Sequence, residues 1–366
     1  MQKHLTRIQD RRSFLKMLAA VGGLAAATPL LEACSSAAPA SPTAAPANPA
    51  AAGAAQPTPA AAPAKVTIIR TGHSLAPENP ITDLLKKWGE LLGQKTNGAF
   101  KVEVFGGSVL GTGRTAPEGV SLGTVESFYA DPSEYASFNQ ALNIVSAPFM
   151  WNDRNQLQKA VRSPEIFNTL TEPVKSKGVH VLAIGYSGTR HLTTKNTAAK
   201  KPEDLKGLKI RVPEIPVYKD MVSAWGATPT PIAMVDVFIG LQTGTVDGQE
   251  NPFAQIISNK FYEVQKYLIL TSHIIQCGSI IFNESLFQQQ PKAYQDALVT
   301  SAQEAMDWFL GYLNDQEGNM LEQLKGYGMT VVEPDVKAFR DAMKPVYDKY
   351  DSIWTKDLRD KIQNFK

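Results

Sequence analysis

Cysteine and histidine are scarce: the 366 residues include two cysteines, Cys34 and Cys277, and five histidines. Among the latter, His73, His180, His191 and His273 are scattered, with no pair at helical spacing and no cluster with cysteine, so no metal site is indicated. Charge of one sign is missing as well. The formal net charge is +2, and without a basic cluster neither nucleic acid nor an anionic lipid surface is an expected partner. No apolar run reaches the roughly 20 residues that a spanning helix requires. The longest candidate, Met17 to Leu31, is short and rich in Ala and Gly. Complete catalytic motifs are absent too: Gly185-Tyr186-Ser187-Gly188 lacks the second spacer of a nucleophile elbow.

What the amino terminus does carry is an address. Arg11-Arg12-Ser13-Phe14-Leu15-Lys16 precedes the apolar run, and Leu31-Glu32-Ala33-Cys34 follows it. The paired arginines resemble a twin-arginine export signal, and the small residue before a lone cysteine resembles a lipoprotein cleavage site. Glu32 departs from the small or β-branched residue usual there. The reading is a signal over 1–33 and a lipidated tether over 34–65, with Cys34 as the lipidated residue and the protein held outside the cytoplasm. Ser35 to Lys65 is almost wholly Ala, Pro, Ser and Thr, so it builds no core and serves as a semi-rigid spacer. Once Cys34 is modified, Cys277 has no partner for a disulfide. A domain of about 300 residues buries about 75% of its unfolded surface and needs no such staple. Cys277 lies in an apolar β run, Ile274 to Phe282, which predicts a buried, unreactive thiol.

From Val66 onward strand and helix patterns alternate, which predicts an α/β fold. Strands are expected at Val66 to Arg70, Phe100 to Phe105, Glu126 to Ala130, Val179 to Tyr186, Lys209 to Val212, Tyr267 to Thr271 and Gln276 to Phe282. After Asn79-Pro80, the spacing of Leu84, Leu85, Trp88, Leu91 and Leu92 predicts a helix. Shorter helices are expected at 117–122, 155–161, 165–177, 217–225 and 235–241. Beyond Pro291 apolar residues keep helical register as far as Gly326 and Gly328, a span of ~45–50 Å. So long a helix points to two lobes bridged by crossing segments, with a hinged cleft between them.

One motif suits an enzyme. Gly111-Thr112-Gly113-Arg114-Thr115-Ala116 follows a strand and precedes a helix as a dinucleotide-binding loop does. Five residues intervene between strand and glycines, which favours a simple glycine-rich turn. An exported oxidoreductase stays open at this point as the alternative.

Three blocks alter that balance: Pro202-Glu203-Asp204-Leu205-Lys206-Gly207-Leu208-Lys209-Ile210-Arg211-Val212-Pro213, then Gly226-Ala227-Thr228-Pro229-Thr230-Pro231, then Leu241-Gln242-Thr243-Gly244-Thr245-Val246-Asp247-Gly248-Gln249-Glu250-Asn251-Pro252. In sequence and spacing they resemble the DctP family, the solute-binding proteins of tripartite ATP-independent periplasmic (TRAP) transporters. Thr96-Asn97-Gly98, Leu110-Gly111 with Arg114, Pro148-Phe149 and Gly188-Thr189-Arg190 extend the similarity. The resemblance implies a two-lobe periplasmic binding protein, type II-like, with lobe I formed by 66–187 plus about 277–316 and lobe II by 188–276 plus about 317–366. It implies no enzyme and no cofactor, and a small organic acid delivered to membrane subunits of a transporter. A ligand-binding component of a sensory system shares that fold and chemistry.

By the same resemblance Arg211 pairs with the ligand carboxylate, a role suited to a planar guanidinium fork. Asn251, in a Glu-Asn-Pro turn, donates to the same carboxylate, and Arg190 is a second arginine beside it. His73, Asp131, Glu214 and Met234 fall where the cleft is lined. Two departures from the family pattern are Asp236 and Phe238 in place of Glu and Tyr, and Thr115 in place of an acid.

Overall fold

The computed structural model describes residues 66–365. The paired arginines, the apolar segment, Cys34 and the Ala/Pro tether lie outside the described residues. The strands are β1 (Thr67–Gly72), β2 (Phe100–Phe105), β3 (Ser127–Ala130), β4 (Val179–Thr194), β5 (Lys209–Val212), β6 (Thr228–Pro231), β7 (Gly248–Pro252), β8 (Tyr267–Asn283) and β9 (Thr330–Val332). The helices are α1 (Ile81–Lys95), α2 (Thr115–Leu122), α3 (Arg154–Ala160), α4 (Pro164–Lys175), α5 (Pro216–Ala224), α6 (Val237–Gln242), α7 (Phe253–Ser258), α8 (Glu284–Gln288), α9 (Lys292–Gly326), α10 (Val336–Asp341), α11 (Lys344–Trp354) and α12 (Lys356–Gln363).

The strands share one sheet in the order β2-β1-β3-β8-β4-β7-β5-β6, with β9 beside β8. It has two mainly parallel wings. β1 runs parallel to β2 and β3, and β5 runs parallel to β6 and β7. Between the wings stand β4 and β8, antiparallel to one another and long enough to serve both. Their pairing shifts register between Tyr186 and Thr189, where Gly188 adopts φ +116° and a Cβ would meet Pro252 at 2.7 Å. Only glycine fits such a backbone. Helix α9, ~52 Å long at 1.5 Å per residue, packs on α1 and β4 and also on α7, so it too reaches both wings.

Local sequence explains these elements. In α1, Ile81, Leu84, Leu85, Trp88 and Leu92 are all buried, the stripe that three- and four-residue spacing produces. Asn79 Oδ1 accepts from the Ile81 amide at 3.1 Å, satisfying one of the donors left free at a helix start. Cys277 is buried with its thiol on the Val145 carbonyl, and burial holds its pKa well above the ordinary value, as a structural thiol requires.

Some expectations change. The two strands read at 267–271 and 276–282 are one, β8; Ser272 takes a left-handed φ of +45° and His273 is buried. β4 likewise continues eight residues past Tyr186. The Glu-Asn-Pro segment is strand β7 rather than a turn, and it is buried throughout. After Gly328 the chain adds β9, α10, α11 and α12, none of which the sequence pattern announced.

Candidate ligand-binding site

A cavity of about 770 Å3 lies where the two wings face each other, at the carboxyl ends of their strands. Open α/β sheets bind ligands in that position, since chain reversals leave a crevice there. His73 follows β1, Asp131 follows β3, Glu214 lies just past β5, Met234 just past β6, and Asn251 is near the end of β7. These five line the cavity together with Arg190 from β4 and Arg211 from β5, so all seven expected residues meet in one place.

Their chemical roles are not equal. Arg211, in a strand flanked by β6 and β7, is 2% exposed. Its Nε and Nη2 both donate to the Ile232 carbonyl, at 2.8 and 2.6 Å. Nη1 is buried without a partner. Burial pulls this guanidinium down to about 10, against the opposing pull of Glu250, and it still carries full charge at neutral pH. Two donors are thus anchored, and Nη1 is left without an acceptor.

Arg190 is committed elsewhere. Its Nε donates to Glu250 Oε2 at 2.5 Å and its Nη2 to Oε1 at 2.7 Å and to the Glu250 carbonyl. Nη1 reaches Gln276 Oε1 at 3.1 Å, and the guanidinium lies 5.1 Å over the Tyr218 ring. Glu250 also accepts from His273 Nε2 at 3.0 Å, while Thr271 Oγ1 lies 2.7 Å from the other ring nitrogen. Burial pushes the Glu250 carboxyl up, but the Arg190 charge and the bonds from His273 and Arg190 outweigh it and hold its pKa below 4.5. The bidentate fork that a ligand carboxylate would need from Arg190 is therefore occupied by Glu250.

Asn251 is partly engaged within its own strand. Its Nδ2 donates to Gln249 Oε1 at 2.6 Å, and Oδ1 is buried without a partner. One of the two Nδ2 hydrogens is thus used inside β7, and the second remains for the carboxylate that the resemblance implies. Glu214 lines the cavity but pairs with Arg114 at 2.7 Å, joining the start of α2 to the loop after β5. Asn79 Nδ2 and Ser258 Oγ, 3.0 Å apart, tie the start of α1 to the end of α7. Asp131 caps the turn Pro132–Tyr135, accepting from Ser133 N and Ser146 Oγ while Tyr218 and Gln276 approach its second oxygen. Met234 opens a 3-10 turn and packs partly buried against the core. His73 is fully buried, and burial pushes its pKa down to about 4, so it is neutral.

Several groups escaped the sequence reading. Glu134, next to Asp131, is pushed up to about 8 by burial and by the Asp131 charge, and so holds a proton at neutral pH. Tyr129, Asn143 and Gln276 complete the wall on the β1–β3 side, and Lys349, Tyr350 and Ile353 of α11 close another side. None of them belongs to a recognisable motif, and α11 arrives from the unassigned carboxyl-terminal stretch.

The glycine-rich loop serves packing. A Cβ on Gly113 would sit 1.8 Å from Glu134 Oε1, so a carboxyl group occupies the side a phosphate would approach. Thr115 supplies a helix start in place of the acid: Thr112 N donates to Thr115 Oγ1 at 2.9 Å and Thr115 N to Thr112 Oγ1 at 3.2 Å. This is the reciprocal bonding of a capping box, in which Glu or Gln usually holds the later position.

Known proteins resemble this chain in sequence and fold. Residues 71–353 match the family described as bacterial extracellular solute-binding protein, family 7. The 2,3-diketo-L-gulonate-binding periplasmic protein YiaO of Escherichia coli is 32% identical over 75% of this chain and 84% of its own. The sialic acid-binding periplasmic protein SiaP of Vibrio cholerae is 30% identical over 80% of this chain and 91% of its own. Among solved structures, a TRAP periplasmic solute-binding protein of Polaromonas sp. JS666 bound to D-erythronate superposes with a TM-score of 0.79 at 32% identity, covering 82% of this chain and 99% of that one.

Proposed function

The chain belongs to family 7 of the bacterial extracellular solute-binding proteins, and from that premise we propose that it captures a small organic acid outside the cytoplasm and delivers it to the membrane subunits of a TRAP transporter. It is a binding protein, not an enzyme. The observation that carries the reading is the unpartnered corner of the Arg211 guanidinium, a desolvated cation held by one backbone carbonyl beside a cavity of about 770 Å3. An incoming carboxylate supplies the charge and the acceptor that this group lacks. Relatives that bind a ketosugar acid and sialic acid, and a structure holding an aldonate, support the same chemistry.

Lobe I takes in 66–187 and about 277–316, lobe II 188–276 and about 317–366. The hinge lies where β4 shifts register near Gly188 and where β8 and α9 cross. Scanning calorimetry against organic acids and uncharged sugars of equal size tests the proposal. An acid that binds the native state should add ~2.7 kcal/mol at a hundredfold excess over its dissociation constant, with the sugars giving none. Stabilisation by sugars and acids alike would sink it.

The anchor is the finer part of the reading. A twin-arginine signal and a lipid on Cys34 would keep the protein at the outer face of the cytoplasmic membrane, with residues 35–65 as tether. Among the described residues no helix is long and apolar enough to cross a membrane. Cys34→Ala should leave the membrane fraction or persist as uncleaved precursor. A variant that fractionates and migrates like the parent rules out the lipoprotein assignment.

A further inference from the structure

We propose that α11 is a strap across one flank of the cavity, latched to α5 through Asp220, and that this latch sets how fast a ligand enters and leaves rather than how tightly it is held. The cargo is taken from the organic-acid reading; the latch stands on the strap's own bonds. Lys349, Tyr350 and Ile353 of α11 form one side of the cavity, so parting α11 from α5 opens the cavity along that side.

The strap is carried by the wing opposite to α5. In chain order 344–365 continues lobe II, and α10, just ahead of it, does sit on the β5–β7 wing: Trp225 Nε1, at the end of α5, donates to the Phe339 carbonyl at 3.3 Å, and the two rings meet edge-on. Past α11 the attachment changes. Gln156 Nε2 of α3 donates to the Ile362 and Phe365 carbonyls at 3.1 Å each, Asn152 Nδ2 donates to the Gln363 carbonyl at 3.3 Å, and Lys361 of α12 pairs with Glu165 of α4 at 2.8 Å. Both α3 and α4 lie on the β1–β3 side, where Ser121 Oγ of α2 donates to the Lys177 carbonyl just past α4. In α11 itself, Tyr347 OH donates to the Pro148 carbonyl, just ahead of α3, at 2.6 Å.

Among the described residues, the hydrogen bonds between α11 and α5 are the two on Asp220. Its Oδ2 accepts from Lys349 Nζ at 2.7 Å and from Tyr350 OH at 2.9 Å. Tyr347 and Tyr350 are three residues apart and so share a helix face, which bonds neighbouring turns of α11 to opposite wings. The Lys349 and Asp220 side chains are 58% and 27% exposed, and an ion pair so placed contributes little. Tyr350, 3% exposed, supplies the stronger half; burial and the bond to Asp220 push its pKa up, so the phenol keeps its proton and donates. When the wings separate, α12 stays with α3 and α4, and the single carboxylate is where the strap parts. Asp220 is not part of the cavity wall, so its hold is the same with the cavity filled or empty. A barrier of that kind changes both rates and leaves their ratio alone, because a ligand shifts an equilibrium only by its differential affinity for the two states.

Pulsed EPR between nitroxides on Ser223→Cys in α5 and Ser352→Cys in α11, both exposed positions, reads the latch in the empty full-length protein. Cys34→Ala removes the accessible native thiol, Cys277 being buried. The labelled parent should give one short separation. Asp220→Ala, and Lys349→Met together with Tyr350→Phe, should each raise the population at longer separation about 5- to 30-fold. Combining all three should add little. Stopped-flow with the strongest binder among the four tetronates, gluconate, galactonate and succinate should show Asp220→Ala associating and dissociating faster by a similar factor, with a dissociation constant close to that of the parent. A long separation in the labelled parent, or variants that match the parent in both measurements, overturns the latch. So does weaker binding with unchanged association, which would make Asp220 a holder of ligand. If none of these acids binds, the organic-acid reading falls and the distance measurement alone decides the latch.

Discussion

Replacing Arg211 with alanine should weaken binding of the acid ligand roughly 30-fold to several thousandfold. Removing one member of a buried, hydrogen-bonded charge pair costs ~2–5 kcal/mol, and each 1.4 kcal/mol is about one decade. The site offers little to replace it, since Arg190 is already gripped by Glu250. Arg211→Lys should fall between alanine and the parent, because an ammonium keeps the charge but loses the planar fork that now rests on the Ile232 carbonyl. Stability of the empty protein should move far less than affinity. The variant gains by losing a desolvated charge with one corner unpartnered, and loses by leaving the Ile232 carbonyl without its donors, a cost of about 1–3 kcal/mol. Titration calorimetry paired with urea unfolding of all three proteins separates the two effects. An alanine variant that stays folded and binds within threefold of the parent removes the carboxylate from this residue.

Much of this site was legible in the sequence because the residues that aim at the ligand follow apolar strands. Ile210-Arg211-Val212 places one charge between two buried aliphatic residues, and a polar side chain there needs a partner. Helix α1 was legible for a similar reason, its buried face being a regular apolar stripe. Strand β7 was not. Gly-Gln-Glu-Asn-Pro has poor strand propensity and reads as a turn. It is a central strand because each polar side chain finds a bond elsewhere: Gln249 to Thr193, Glu250 to Arg190, Asn251 to Gln249. Those partners lie 56 and 60 residues away in the first two cases, beyond any local pattern. β6, Thr-Pro-Thr-Pro, survives as a strand because it ends the sheet, where proline is tolerated.

The same long-range bonding decides which polar groups serve the ligand. From sequence, Arg211 is the arginine expected on the carboxylate, with Arg190 a second beside it and Asn251 a donor to the same group. Pairing of β4 with β7 places Arg190 beside Glu250 and neutralises it. Pairing of β5 with β7 places Arg211 opposite Gln249, whose carbonyl oxygen is taken by Asn251. Residue identity fixed the inventory, and strand register fixed its use.

Glu250→Ala should lower folding stability by ~3–5 kcal/mol, the usual cost of breaking a buried ion pair by deleting one partner. Glu250 is completely buried and serves two residues at once, Arg190 and His273. Without it Arg190 keeps its charge, because the Glu250 field that raised its pKa is lost but no ordinary pH deprotonates a guanidinium. The main-chain carbonyl of residue 250, Gln276 and the Tyr218 ring are then its remaining neighbours of suitable polarity. At ~2–4 °C per kcal/mol, the melting temperature should drop by about 6–20 °C. Glu250→Gln should lose less, since one oxygen still accepts, although its amide hydrogens then face a donor. The effect should also depend on pH in a stated direction. The folded carboxyl titrates below its ordinary value of 4.5, so its stabilisation is fully present above that value and is lost as pH falls through the depressed one. Urea midpoints for parent and Glu250→Gln should therefore be far apart at pH 7 and draw together in acid. Equal midpoints at pH 7 would mean that the Arg190–Glu250–His273 cluster contributes nothing to folding, and that the fork of Arg190 is held from the ligand by something other than this carboxylate.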